Sequence, residues 1–123
     1  MLLLTDASIT ELSKNVGSPV NFIRFRPNIF IKADPGVEPF AEDTFKWWRF
    51  GTTVMINAKP AERCIFINVN PEDGLRDVAH EPLKTLRKIH SPEAVAGPVM
   101  GSLLAIRSPG KFSVGDEVFV EHN

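Results

Sequence analysis

The sequence has one cysteine, Cys64, in 123 residues. No internal disulfide can form, which excludes the stapled architecture of small secreted domains and favours a reducing compartment. No apolar run approaches the ~20 residues needed to cross a bilayer, and Met1-Leu2-Leu3-Leu4 passes directly into Thr5-Asp6. No basic segment precedes those leucines and no further apolar stretch follows them, so a signal peptide is not expected. An excess of one charge is also missing. Fourteen Lys and Arg face fifteen Asp and Glu, for a net charge of −1 and a pI near 6.3, without the basic field of bulk nucleic-acid binders. Walker A, Rossmann-glycine and G-x-S-x-G patterns are absent. His80, His90 and His122 lack the Cys or carboxylate spacing of a zinc site and read as surface or helix-end residues. These absences point to a soluble, intracellular, cytoplasmic protein with no nucleic-acid partner and no membrane span.

The chain is 43% hydrophobic and 24% charged, the profile of one soluble domain. Ten prolines and eight glycines interrupt it too often for a helical bundle. Thr5 to Ser8 offers N-caps, Ile9, Leu12 and Val16 recur at helical spacing, and Gly17 supplies a stop, so a short helix is expected there. From Val20 to Lys32 the period falls to two. Two strand segments are expected, broken at Pro27, with Phe22, Arg24 and Arg26 on one face. Ala41 to Trp48 allows one helical turn. Strands are expected over 52–57 and 63–69, joined by Lys59-Pro60-Ala61-Glu62, and Asn70 to Gly74 is a turn cluster. Glu81-Pro82 opens a second short helix with Leu83, Leu86 and Ile89 or His90 as its buried stripe and Lys84, Arg87 and Lys88 on other faces. Strands over 100–107 and 112–121 complete a compact β-barrel-like, mainly β domain with two or three short helices.

Two features carry chemistry. In Arg24-Phe25-Arg26-Pro27-Asn28, guanidinium forks suit phosphate oxygens and the Asn28 amide both donates and accepts at a heterocycle edge. The competing reading is a solvated strand face. In Arg63-Cys64, a guanidinium beside a thiol favours the thiolate, a nucleophile and soft-metal ligand. The competing reading is an inert buried cysteine. Glu38, Glu42 and Asp43 are weaker acid–base candidates and read first as caps.

Several segments in order resemble a known family: Arg24 to Ile29, Glu38-Pro39-Phe40-Ala41-Glu42-Asp43, Arg63-Cys64-Ile65-Phe66, Asn70 to Gly74, Glu81 to Arg87, and Val114-Gly115-Asp116-Glu117-Val118. Together they resemble the MOSC domain, the molybdenum-cofactor-sulfurase C-terminal domain, in the branch containing the mitochondrial amidoxime reducing component. The likeness runs from a helix over 3–16 to Val120. It implies a single MOSC-type β-barrel over residues 1–123 that binds a molybdenum–molybdopterin (pyranopterin) cofactor. By position in the family's motifs it implies Cys64 as the metal-ligating, catalytic thiolate, and Arg26, Asn28 and Arg63 as cofactor contacts. The implied activity is that of a molybdenum-dependent oxidoreductase removing oxygen from N-hydroxylated compounds, with electrons from a separate heme or flavin protein. Family members usually carry a β-rich N-terminal region before this domain, which residues 1–123 lack. Ala61 and Glu62 stand where a cysteine and a small polar residue are usual, Phe45 where tryptophan is common, and Met100 where a phenylalanine is usual. A carboxylate at Glu62 opposes an anionic cofactor unless it turns away or pairs with Arg63. The alternative is a non-catalytic or truncated MOSC domain acting as a cofactor or sulfur carrier or binding module.

Overall fold

Leu2–Thr5 (β1) begins the chain as a strand rather than as part of the first helix. In the computed structural model, which describes residues 1–122, it lies between two neighbours, parallel to Ile29–Ile31 (β2) and antiparallel to Val99–Ser108 (β5). A strand covered on both faces reads as an unbroken apolar run, so alternation does not reveal it. Leu3 and Leu4 are both fully buried, and they enter different clusters on opposite faces.

The first helix, Asp6–Val16 (α1), follows at once. Thr5 ends the strand and caps the helix, its Oγ1 accepting from the Ser8 N–H, and Gly17 closes it at φ 91°. The left-handed residue at that end is the usual glycine stop.

The sheet has six strands in the order β2-β1-β5-β4-β3-β6, where β3 is Trp47–Phe50, β4 is Thr53–Glu62 and β6 is Val118–Glu121. It curls into a half-barrel accompanied by two helices, the second being Leu83–Ile89 (α2). The expected mainly β fold is thus observed. The ten-residue β4 and β5 form the spine, and register shifts along their pairing bend it. One shift places an extra residue on β5 around Gly101, which sits at φ 92°. A left-handed glycine in a bulge reverses the side-chain alternation. Met100 therefore joins Leu4, Ile9, Leu12, Phe25, Ile67 and Leu86 under the helices, while Leu104 joins Leu3, Trp48, Phe50 and Met55 on the other face.

Other segments also depart from the expectation. Phe22–Phe25 is a 3-10 turn, capped by the Asn21 side chain accepting from Ile23 N–H, so Arg24 and Arg26 do not share a strand face. Lys59 to Glu62 continues β4 rather than linking two strands, because Pro60 sits where the bulged pairing with β5 is irregular. Arg63 to Val69 is not a strand: Ile65–Asn68 is another 3-10 turn, with Ile65 and Phe66 exposed and only Ile67 and Asn68 buried. An apolar Ile-Phe-Ile run has strand propensity, but here its backbone turns to bring Ile67 alone into the core. The last strand is also shorter than expected, starting at Val118 after a turn in which Ser113 N–H donates to Asp116 Oδ2.

Candidate functional site

The β4 strand ends at Glu62, and the chain then changes direction through Arg63 and Cys64. Arg63 fixes the turn. Its N–H donates to the Pro98 carbonyl at 2.8 Å, its Nε to the Met100 carbonyl at 2.9 Å, and its Nη1 to the Phe25 carbonyl at 3.1 Å. The guanidinium carbon also lies 5.3 Å from the Phe25 ring centroid. One side chain thereby ties β4, β5 and the 22–25 turn together. Its Nη2 is buried with no hydrogen-bond partner. Burial pulls the Arg63 pKa down to about 10, with the adjoining Cys64 acting more weakly in the opposite sense. A part-buried cation with a spare donor favours an anion beside it.

Cys64 is exposed, in extended backbone at the start of the Ile65–Asn68 turn. The thiol is thus not the inert core cysteine of the competing reading. It lines a cavity of about 710 Å³ with Glu62, Arg63, His80, Lys84 and Arg87, closed on another side by residues 96–98. Lys84 and Arg87 are exposed on faces of the helix other than its buried stripe, and His80 is exposed, as expected from the sequence; what the sequence does not reveal is that all three line the cavity with Cys64. The spacing of Lys84 and Arg87 carries part of that signal, since residues three apart share one side of a helix, whereas His80 lies before α2. The buried Asn68 sets this wall in place: its Oδ1 accepts from Leu83 N–H at 2.9 Å at the start of α2. The His80 carbonyl accepts from Lys84 N–H, and His80 itself sits at φ 62°.

Glu62 is exposed and lines the cavity without pairing with Arg63. Among the described residues, the one carboxylate within ion-pairing distance of a basic side chain is Asp43, on His90, so Arg63, Lys84 and Arg87 have no carboxylate partner. Three permanent cations against one carboxylate give the cavity a positive field.

Arg26 and Asn28 are both exposed and lie outside the wall of this cavity. Asn28 clasps Leu2: its Oδ1 accepts from Leu2 N–H at 2.8 Å, and its own N–H donates to the Leu2 carbonyl at 2.9 Å. Arg26 takes the left-handed conformation, φ 53°, directly after the residue whose carbonyl Arg63 holds. A smaller cavity of about 410 Å³ runs between Leu2, Lys59 and Arg63. Arg63 and Cys64 therefore share one site, and Arg26 and Asn28 stand on the segment bonded to its edge.

The carboxylate candidates do not converge. Glu38 is exposed. Glu42 is fully buried, accepting from Ser8 Oγ at 2.7 and 2.9 Å and from Thr5 Oγ1 at 3.3 Å, and burial pushes its pKa up despite those hydroxyls. Asp43 bonds His90 Nε2 at 2.5 Å, and the imidazole stacks on Phe40. Among the described residues, no group of three or more His, Cys, Asp or Glu side chains is placed to hold a metal ion. A metal at Cys64 would need its other donors from a cofactor. Nor, among the described residues, is any helix long and apolar enough to cross a membrane.

The family model described as "MOSC domain" matches residues 1–119. Mitochondrial amidoxime-reducing component 1 of Mus musculus is 32% identical over 125 residues, and that of Danio rerio 30% over 121 residues. Mitochondrial amidoxime reducing component 2 of Homo sapiens is 29% identical over 125 residues. In each case 97% of this chain is covered, but the chain spans only 36% of the relative's length.

Proposed function

The chain belongs to the MOSC domain family, and from that premise we propose that it is a molybdenum-cofactor-binding domain of the amidoxime-reducing type. The observation that carries the reading is an exposed thiol, Cys64, sharing a cation-lined cavity with a part-buried Arg63 whose Nη2 is buried and has no partner. These residues fit an anionic group with a soft metal: thiolate suits molybdenum, and guanidinium suits phosphate. Cys64 ligates the metal through Sγ. Arg63 offers Nη2 while its other two donors keep the fork rigid, so little rotamer freedom is lost on binding. Arg26, exposed on the adjoining segment outside the cavity wall, and Asn28, with its Nδ2 donors left since Oδ1 is taken by Leu2, are the further contacts this reading assigns to the cofactor.

When bound, the molybdenum–pyranopterin cofactor supplies the two-electron redox chemistry by which an N-hydroxylated compound loses its oxygen. The protein's part is to hold the thiolate, orient the cofactor and keep positive charge at the cavity. In this reading, residues 1–123 act as a MOSC domain with part of the pocket supplied from outside them, by a β-rich region or partner chain. Electrons come from a heme or flavin protein. The chain's 36% share of its relatives' length supports this division of labour. A thiol left free as a metal ligand suits a reducing intracellular compartment.

One observation favours a second reading. Glu62 lines the cavity without an ion-pair partner, a charge set against an anionic cofactor. On that reading the domain is a non-catalytic carrier or binding module. Elemental analysis of the protein purified from a host that makes the cofactor separates the two. The first predicts stoichiometric molybdenum that falls to background in Cys64→Ala, and no molybdenum in the unaltered protein would refute it. Glu62→Ser should raise occupancy, and unchanged occupancy removes the argument from charge conflict.

A further inference from the structure

We propose that Lys84 and Arg87, with His80, form a substrate-selecting wall that favours compounds bearing a carboxylate or phosphate group. This substrate assignment rests on the reading of the Cys64 cavity as the reaction site. The wall and the thiol line the same cavity. Lys84 and Arg87 are three residues apart on α2, so their side chains leave the helix on one side. His80 stands one turn before Lys84, and its carbonyl takes the Lys84 N–H. Neither Lys84 nor Arg87 has an ion-pair partner among the described residues.

The two kinds of cation in this cavity differ in a way that separates their ligands. Arg63 is part-buried and spends two donors on backbone carbonyls, a rigid arrangement suited to a group that stays bound. Lys84 and Arg87 are exposed, with no ion-pair partner among the described residues. Long, hydrated side chains at an open rim suit an anion that comes and goes. A substrate carrying its own anionic group is drawn to this wall by long-range attraction, and salt weakens that attraction.

The same charges would also attract the phosphate of a bound cofactor, so the test has two arms on the full 123-residue chain. In the first, inorganic phosphate is titrated against the protein at constant ionic strength and followed by amide chemical shifts. Shifts should centre on residues 80–87 and 62–65. Affinity should fall about tenfold or more in the double variant Lys84→Gln, Arg87→Gln, and be unchanged in Lys88→Gln, an exposed lysine of α2 outside the cavity wall. Both altered side chains are exposed, so the fold should tolerate the change. Equal phosphate binding by the double variant and the unaltered protein overturns the site. In the second arm, molybdenum content is compared between the same two proteins. Unchanged content assigns the wall to substrate, and a fall in step with phosphate affinity overturns that assignment in favour of the cofactor. The phosphate arm needs no metal and so decides the anion site even where the molybdenum reading fails.

Discussion

Arg63 Nη1 donates to the carbonyl oxygen of Phe25 at 3.1 Å, a bond across 38 positions of sequence that fastens the 22–25 turn to the end of β4. It also sets the distance between the two segments that the family resemblance assigns to the cofactor. With Nε on the Met100 carbonyl, this one guanidinium replaces the strand pairing that the chain gives up on leaving the sheet.

Arg63→Lys should therefore cost stability as well as any ligand. A lysine ammonium is a point donor and cannot serve two carbonyls in the fixed geometry of the fork. At least one part-buried carbonyl loses its partner, for about 1–3 kcal/mol. Urea denaturation of the metal-free protein checks this, and a midpoint equal to that of the unaltered chain would contradict it.

Gly101→Ala should destabilise through the backbone. A Cβ there would stand 2.7 Å from the Leu3 carbonyl oxygen and 2.8 Å from Leu4 Cδ2, at a φ of 92°. Overpacking and left-handed strain together suggest a loss of about 2–4 kcal/mol. Gly36→Ala is the comparison: φ is similar, at 93°, but nothing lies within 4 Å, so only the strain remains. Thermal unfolding should place Gly101→Ala well below Gly36→Ala, and equal melting temperatures would remove the packing argument.

The buried Glu42 carboxyl should make stability fall with rising pH. Desolvation raises its pKa in the folded protein above the ordinary 4.5, more than the hydroxyls of Ser8 and Thr5 lower it. A carboxyl whose pKa rises on folding takes up a proton. Its contribution is full below the unfolded value and is lost as pH climbs through the folded one. Glu42→Gln removes the titration and keeps a neutral side chain of the same shape. The variant should gain on the unaltered protein as pH rises from 4.5 upward, measured by urea midpoints, whereas parallel pH profiles would contradict the assignment.

The His90–Asp43 pair joins the end of α2 to the turn at Ala41–Asp43, with Phe40 stacked on the imidazole at 4.0 Å. Both side chains are mostly buried, at 19% and 18% exposure, so the contact should exceed a surface ion pair. A double-mutant cycle on His90→Gln and Asp43→Asn should show coupling of about 1 kcal/mol or more. Additive effects would mean that the stacking, not the pair, holds the junction.

Legibility in the sequence followed local chemistry. The helix ending at Gly17, the turn over 70–74, the helix after Pro82 and the strand beginning near Met100 are each signalled by caps, turn residues or apolar spacing within a few positions. What failed depended on distant partners. Leu2–Thr5 is a strand because Ile29–Ile31 and β5 flank it, and Ile65–Asn68 is a turn because Arg63 is bonded to Phe25, Pro98 and Met100. The same holds for the site. Cys64 and Arg63 stood out as adjacent residues of suitable chemistry, whereas Lys84, Arg87 and His80 join them only through the folding of the intervening loop.

The central claim is that Cys64 binds molybdenum, and its most direct test is X-ray absorption at the molybdenum edge on protein from a cofactor-making host. The account predicts one sulfur ligand more in the unaltered protein than in Cys64→Ser, where the cysteine sulfur is replaced. An identical sulfur shell in both proteins, or no molybdenum in the unaltered one, would contradict it.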